Sequence, residues 1–283
     1  MRAFPIVVVS GIGALLCAIE SSGAEPAPGT SSHQPLYSLD TLHFDREYCK
    51  GYFRDARILA VSPARWKWSD WLAASMVAAG GFGLYTEDRA IQTKVQRNRN
   101  RAGDAAASIV EPFGNGYYLS GSFGVFYLAG ILLKNEEMES TTLLCGESVL
   151  IARGVTEVLK QGFHRYRPRE SASPDKWNGP GISTTHLSFP SGHTTAAAAL
   201  ASALACRYQE SPVIGVIAYT LAACTGLSRI NDNAHWASDV FTGYVIGWYC
   251  GRVVARSHIR KNRLSLIPYF EGDRTGISLS IRR

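Results

Sequence analysis

A proline, a serine, a glycine and a histidine, "PSGH" at 190–193, stand directly before a run of alanines. Two chemistries fit that placement. Ser191 has the side-chain oxygen that caps a helix, which leaves His193 as an ordinary first-turn residue. Alternatively the helix start is an anion site: free N–H groups and the positive end of the dipole face the ligand, Gly192 admits it close to the backbone, and Ser191 and His193 add donors. Two other groups bear on the choice. "KQGFHRYRP" sets Lys160 and Arg167 seven residues apart, nearly two helical turns, so both cations can share one side before Pro168 breaks the run. A solvated basic face is the plainer reading. "SRINDNAHWASDV" holds Arg229, His235 and Asp239, the last two four apart, so that on a helix the carboxylate can fix the tautomer and orientation of the imidazole. A capped helix with a surface ion pair is the plainer reading there.

Together the three groups support one chemistry. Lys160, Arg167 and Arg229 can neutralise a phosphoryl group, with Ser191 and the Gly192 N–H completing its oxygen contacts. Two histidines then supply what phosphoester cleavage needs, a nucleophile and an acid for the leaving oxygen. "K-x6-RP", "PSGH" and "SR-x5-H-x3-D", in that order, resemble the three-part signature of the type 2 phosphatidic acid phosphatase and vanadium haloperoxidase superfamily, with the motif core over residues 140–255. The upstream "SPARW" is similar to exported bacterial members. The resemblance implies a six-helix core and a metal-independent phosphatase acting on phosphomonoesters or diphosphates, lipids foremost. By position, His235 attacks phosphorus and is oriented by Asp239, His193 protonates the leaving group, and Lys160, Arg167, Ser191, Gly192 and Arg229 hold the phosphoryl oxygens. The same residues bind vanadate in haloperoxidases, so a vanadate-dependent haloperoxidase is the alternative. Those enzymes usually have a longer first spacing than the six residues between Lys160 and Arg167. A non-catalytic envelope protein binding anionic lipid is a third reading, and it leaves the His235–Asp239 pair unexplained.

These residues need a frame. Apolar segments near 71–86, 117–133, 141–160, 194–207, 212–227 and 239–255 lack strand alternation and are long enough for helices, which predicts an all-α six-helix bundle. Ser69 or Asp70 is the expected cap of the first helix, and Trp66, Trp68 and Trp71 can form an interfacial belt. "KVQRNRNRAGD" reads as a polar connection, and 168–187, rich in Pro, Gly and Ser, as a long functional loop. Substrate discrimination is expected there and at the helix ends near 112–118. His164 and Arg165 are expected at solvated positions, His186 in the exposed loop, and Asp232 in a turn. The tail "LSLIPYFEGDRTGISLSIRR" alternates like a short β-hairpin around Gly272 and Asp273.

The chain divides into a secretory signal at 1–24, a leader and N-terminal extension at 25–70, a helical phosphatase domain at 71–258 and a C-terminal tail at 259–283. The signal implies export, with the periplasm as the expected compartment and an integral envelope membrane protein as the alternative. A span needs about 20 apolar residues. Counted between charges, only 112–133 reaches 22, so a soluble bundle is expected, with peripheral or integral membrane contact left open. The formal charge of +6 and pI of about 9.0 favour anionic partners, but no nucleic-acid motif is present. Six cysteines form no C-x-x-C pair and read as small core residues. With no zinc-type spacing and no Walker loop, no metal or cofactor is expected, and vanadate is expected only as a phosphate-mimicking inhibitor.

Overall fold

The computed structural model describes residues 37–39, 42–261, 263–271 and 274–282. The expected signal at 1–24 and the expected leader up to residue 36 lie outside the described residues. A short strand β1 (Tyr37–Leu39) precedes eight helices: α1 (Arg46–Val61), α2 (Trp68–Arg97), α3 (Arg101–Val110), α4 (Gly116–Leu133), α5 (Glu136–Phe163), α6 (Gly192–Arg207), α7 (Pro212–Asn231) and α8 (Ala237–His258). Strands β2 (Ile259–Lys261), β3 (Arg263–Glu271) and β4 (Arg274–Arg282) follow, with β1 antiparallel to β2 and β3 antiparallel to β4. The expected C-terminal hairpin is thus present, although its turn residues Gly272 and Asp273 lie outside the described residues.

The six expected helices correspond to α2 and α4–α8; α1 and α3 are additions. The polar stretch "KVQRNRNRAGD" is mostly helical, because α2 runs on to Arg97 and α3 starts at Arg101, where Asn100 Oδ1 accepts from the Gly103 N–H at 2.9 Å. Lysine, arginine and glutamine are good helix formers, so polarity alone does not mark a connection. Lys67, not Ser69 or Asp70, occupies the cap position of α2, and Asp70 accepts the Lys67 N–H from inside the first turn. α5 has a fuller start: Asn135 accepts from the Met138 N–H, and Glu136, Glu137 and Glu139 stand at the positive end of the dipole.

The alanine run now has a mechanical reason. α6 lies at the centre, with Ala196, Ala198, Ala199 and Ala203 fully buried among α5, α7 and α8. α8 presents Gly243, Gly247 and Gly251 at four-residue steps to the backbone of Ser191, Thr195 and Ala199, where any Cβ would collide. Small residues on both helices therefore bring two backbones into contact, and that fixes the start of α6 against the start of α8. The Ser191 N–H donates to the Asp239 carbonyl at 3.0 Å.

α1 is held by a buried ion cluster. His258 Nε2 at the end of α8 lies 3.0 Å from Asp55 Oδ2 and 3.1 Å from Glu147 Oε2, and Ser257 Oγ donates to Asp55 at 2.6 Å. Arg54 pairs with the other Asp55 oxygen at 3.2 Å.

Part of the surface is strongly apolar. α4 and α7 are both long and apolar enough to cross a membrane, and only 11% of α4 is buried. α4 is apolar all round, with Leu132 81% and Val125 67% exposed, and Phe82, Trp68, Val213 and Val216 extend the exposed apolar belt onto α2 and α7. A soluble helix hides an apolar stripe and shows a polar one; α4 has no polar face. Of the three tryptophans, Trp68 and Trp71 are exposed at the start of α2, while Trp66 donates to the Tyr249 hydroxyl. Cys49, Cys145, Cys206, Cys224 and Cys250 are all free thiols, as expected, but Cys49 is exposed and not a core residue.

Candidate active site

α5 ends at Phe163 because His164 turns left-handed, φ 44°, and its N–H closes onto the Lys160 carbonyl. The chain beyond folds back over the end of α5: Asn178 N–H bonds the His164 carbonyl, Gly181 N–H bonds Gln161, and Ser188 N–H bonds Arg165. Arg167 therefore does not share a helix face with Lys160. The return of the chain brings them together instead. Lys160 Nζ donates to the Leu187 carbonyl at 2.9 Å and Arg167 Nη2 donates to the same oxygen at 3.3 Å. Burial first, then the neighbouring Arg167, bring the Lys160 pKa down to about 8.

Three residues on, the start of α6 separates the two readings of "PSGH". Ser191 stands at the cap position, yet its side chain caps no backbone N–H; its Oγ instead accepts from Thr194 Oγ1 at 2.9 Å. The first-turn N–H groups of Gly192, His193 and Thr194 are those an α-helix leaves without internal partners. A Cβ on Gly192 would stand 3.9 Å from Lys160 Nζ, so the lysine reaches this helix start. A cation pair, a hydroxyl and free N–H groups converge there, the combination that suits an anion.

His235 lies in the loop before α8. Its Nδ1 is 2.7 Å from the Ser188 carbonyl, which can only accept, so Nδ1 carries the proton and Nε2 the lone pair. Burial is the main cause that pushes its pKa down to about 3; Asp239 opposes this, and Lys160 and Arg167 add to it. The imidazole is therefore neutral and able to act as a nucleophile. Asp239 is 3.9 Å from Nδ1, too far for a hydrogen bond, and acts through Ser188, whose Oγ donates to Asp239 at 2.6 Å. The direct His–Asp contact expected from their four-residue spacing is replaced by this relay. The loop before α8 sets the distance, because His235 is not on the helix that carries Asp239.

His193 Nε2 pairs with Glu111 Oε1 at 2.7 Å. Burial and Arg229 lower the His193 pKa, and Glu111 opposes them. Arg229 sits 3.7 Å from the same carboxylate oxygen, and its Nη2 donates to Asp232 at 2.7 Å, so Asp232 both ends α7 and holds the arginine. All eight sequence-selected residues, Lys160, Arg167, Ser191, Gly192, His193, Arg229, His235 and Asp239, thus belong to one connected site.

Two residues are misplaced by the sequence reading and two are not singled out. Arg165, expected in solvent, is 0% exposed. It donates to Asp239 at 2.6 Å, Ser238 at 2.8 Å and Asp88 at 2.7 Å, with the Tyr85, Trp177 and Trp236 rings around its guanidinium. His164 is also buried, its Nδ1 against the Gly179 carbonyl. Both are inside because the loop 168–187 packs over them. Asp88 on α2 and Glu111 ahead of α4 are not singled out, because neither has a motif around it. His186, expected to be simply exposed, stacks on Tyr166 at 3.6 Å and pairs with Glu170.

Residues 141–263 match the PAP2 superfamily model. The lipid A 1-phosphatase of Porphyromonas gingivalis is 38% identical over 101 residues, 35% of this chain but 20% of that relative, so the chain spans about one fifth of the relative's length. Among solved structures, a transmembrane PAP2-type phosphatidylglycerolphosphate phosphatase from Bacillus subtilis superposes with a TM-score of 0.50 at 20% identity, over 67% of this chain and 94% of that one. That likeness establishes the fold. Aquifex aeolicus LpxE aligns less closely, with a TM-score of 0.42 at 22% identity over 58% and 92% of the two chains. The matched stretch 141–263 carries all three motifs, so it is this part of the chain that is similar to the PAP2 superfamily.

Proposed function

We propose that the protein is a phosphatase of lipid phosphomonoesters or diphosphates, working at an envelope membrane through a phosphohistidine and without a metal ion. The convergence of Lys160 and Arg167 on one carbonyl oxygen beside the uncapped Ser191 hydroxyl carries this reading. The phosphoryl group sits at the start of α6, held by Lys160, Arg167, Arg229, the Ser191 hydroxyl and the Gly192 N–H. His235 Nε2 attacks phosphorus in line, and the Ser188 carbonyl and Asp239 stabilise the positive charge that develops on its ring. The P–O bond to the leaving group breaks as His193 delivers a proton to that oxygen. Water, deprotonated by the now neutral His193, then attacks the phosphohistidine and releases phosphate with neutral His235. Cations already in the site perform the charge neutralisation a metal would otherwise supply.

Lipid phosphates as substrates rest on two supports: the exposed apolar belt of α2, α4 and α7, and the relatives named above, one a lipid A 1-phosphatase. The belt favours the envelope-membrane alternative over a freely soluble bundle, and the basic, signal-like N-terminus favours export to the periplasmic side. Vanadate is expected to inhibit by occupying the phosphoryl site.

Phosphate release from a short-chain lipid phosphate in detergent with EDTA, wild type beside His235→Ala, tests this reading. Wild type is expected to turn over, and the variant to fall by at least about a thousandfold. Acid-labile, base-stable phosphate on quenched wild type is the second expected result. Halide oxidation dependent on added vanadate would instead select the haloperoxidase. Lipid binding with no turnover in either protein would select the non-catalytic reading.

A further inference from the structure

Arg153 lies on α5 two helical turns before Lys160, on the same side of the helix. Its guanidinium is 3.6–3.8 Å from where a Cβ on Gly116 would stand, at the start of α4, and Nη1 is 4.0 Å from where one on Gly192 would stand, at the start of α6. The arginine therefore bridges two helix starts, and glycine at both leaves its face open. Among the described residues it forms no hydrogen bond and no ion pair. The nearby cation Lys160 rests on a carbonyl, and Arg229 is held by Asp232 and Glu111. Arg153 is an exposed cation beside the phosphoryl site with nothing on it.

Beyond Arg153 a groove of about 570 Å³ runs between α1, α4 and α5, lined by residues such as Phe44, Tyr52, Leu119, Phe123 and Leu150, with Arg153 itself among the lining residues. The phosphoryl site is polar, the groove is apolar, and the arginine stands where they meet. An alkyl chain laid from one to the other must pass the guanidinium. A neutral glycerol or alcohol link there strips water from an unpaired cation and gives nothing in return, whereas an anionic link pairs with it.

Resting on the phosphatase reading above, we infer that Arg153 is a specificity-determining residue that binds a second phosphoryl group between the scissile phosphate and an apolar tail lying in the α1–α4–α5 groove. The preferred substrate class is then the apolar-tailed diphosphate. His235 attacks the terminal phosphorus, the phosphoanhydride P–O bond breaks, and the tail departs as its monophosphate, whose growing negative charge Arg153 neutralises. Water then releases phosphate from His235.

The test compares kcat/KM for dodecyl diphosphate and dodecyl monophosphate in detergent, using the full chain, for wild type, Arg153→Gln and Arg153→Lys. The diphosphate-to-monophosphate ratio is expected to exceed one in wild type, to fall about tenfold in Arg153→Gln, and to recover in part in Arg153→Lys. An equal fall for both substrates, or no change in the ratio, overturns the inference and leaves the phosphatase standing. Failure of wild type to hydrolyse either substrate overturns the phosphatase reading and takes the inference with it. The groove has its own variant: Gly124 lines it, and a Cβ there meets nothing within 4 Å, so the side chain of Gly124→Leu starts in open space and narrows the groove. It is expected to lower kcat/KM for dodecyl diphosphate several-fold relative to ethyl diphosphate. No change in that comparison removes the groove as the seat of the tail.

Discussion

Two buried histidine–carboxylate clusters serve this bundle in opposite ways. In the cluster under α1, His258 stands between Asp55 and Glu147, with Arg54 on the outer Asp55 oxygen. Two carboxylates, an imidazolium and a guanidinium sum to zero charge. Burial opposes charge on His258, but the hydrogen bonds and field of the two carboxylates win and raise its pKa to about 9. At the other cluster Arg165 is shared by Asp88 and Asp239, and Arg229 by Asp232 and Glu111, while Lys160, Arg167 and Arg153 have no carboxylate partner among the described residues. Burial there drives His235 the other way, to neutrality. A cluster that closes on its own charges ties helices together. One that leaves cations over is a place for an anion to bind.

Removing the shared cation breaks that comparison most severely. Arg165→Leu leaves Asp88 and Asp239 buried without their counter-ion, an expected loss of about 3–5 kcal/mol in denaturant unfolding, with activity lost in the molecules that still fold. Arg165→Lys keeps the charge but loses the fork that reaches Asp88, Ser238 and Asp239 together. It is expected to recover much of the stability while kcat stays at least about tenfold down. Full recovery of kcat by lysine would mean that Arg165 acts only as a charge and does not position Asp239.

The distal cluster should lose stability without losing chemistry. A histidine whose folded pKa lies above its unfolded value contributes stability that is fully present below about pH 6.5 and is lost as pH rises through about 9. The size is about 3 kcal/mol. Wild type is therefore expected to weaken between these pH values, and His258→Gln to start weaker and lack that dependence, with kcat per folded molecule within about twofold. Because the charges cancel without an added ion, EDTA and zinc are expected to leave Tm unchanged. A zinc-dependent rise in Tm, abolished in Glu147→Gln, would turn the same three side chains into a metal site, since their ligand atoms lie within 4.8 Å of one another.

The same contrast explains what the sequence could reveal. Lys160, "PSGH" and the Arg229–Asp239 stretch were legible because chemistry fixes residue type and spacing over short runs of chain. Arg165 was not, because its burial depends on Asp88 from α2 and on a loop that returns over it, and no local pattern encodes either. The helices were placed well by apolar periodicity, yet the extent of α2 and α5 was underestimated for one physical reason. Asp88, Glu147 and Lys160 interrupt apolar counts along α2 and α5, but each is buried against a partner on another segment and does not mark water. α1 was missed because its anchoring charge, Asp55, is held inside by Ser257 and His258 from the far end of the chain, which no local pattern shows.

Within the catalytic cluster the two histidines should separate by leaving group. Glu111 holds His193 Nε2 and raises its proton affinity against burial and Arg229. Glu111→Gln is expected to lower kcat about tenfold for an alkyl phosphate, whose oxygen needs the proton, and much less for an activated aryl phosphate. Equal losses for both would make Glu111 a partner of Arg229 with no part in proton delivery.

The smallest effect concerns the cations that remain over. Burial and Arg167 bring the Lys160 pKa to about 8 in the empty site, so above that pH the free enzyme loses one of the charges proposed to receive the phosphoryl group. Because kcat/KM reports free-enzyme ionisations, it is expected to fall by about threefold to tenfold above pH 8 while kcat, measured with the anion bound and the lysine held protonated, falls later. Lys160→Arg keeps its charge across this range and is expected to flatten the profile at a lower plateau. A wild-type kcat/KM constant to pH 10 would mean that Lys160 stays charged in the empty site, its burial offset by groups other than Arg167. The distinction between a cluster that neutralises itself and one that waits for its ligand would then rest on Arg167 and Arg153.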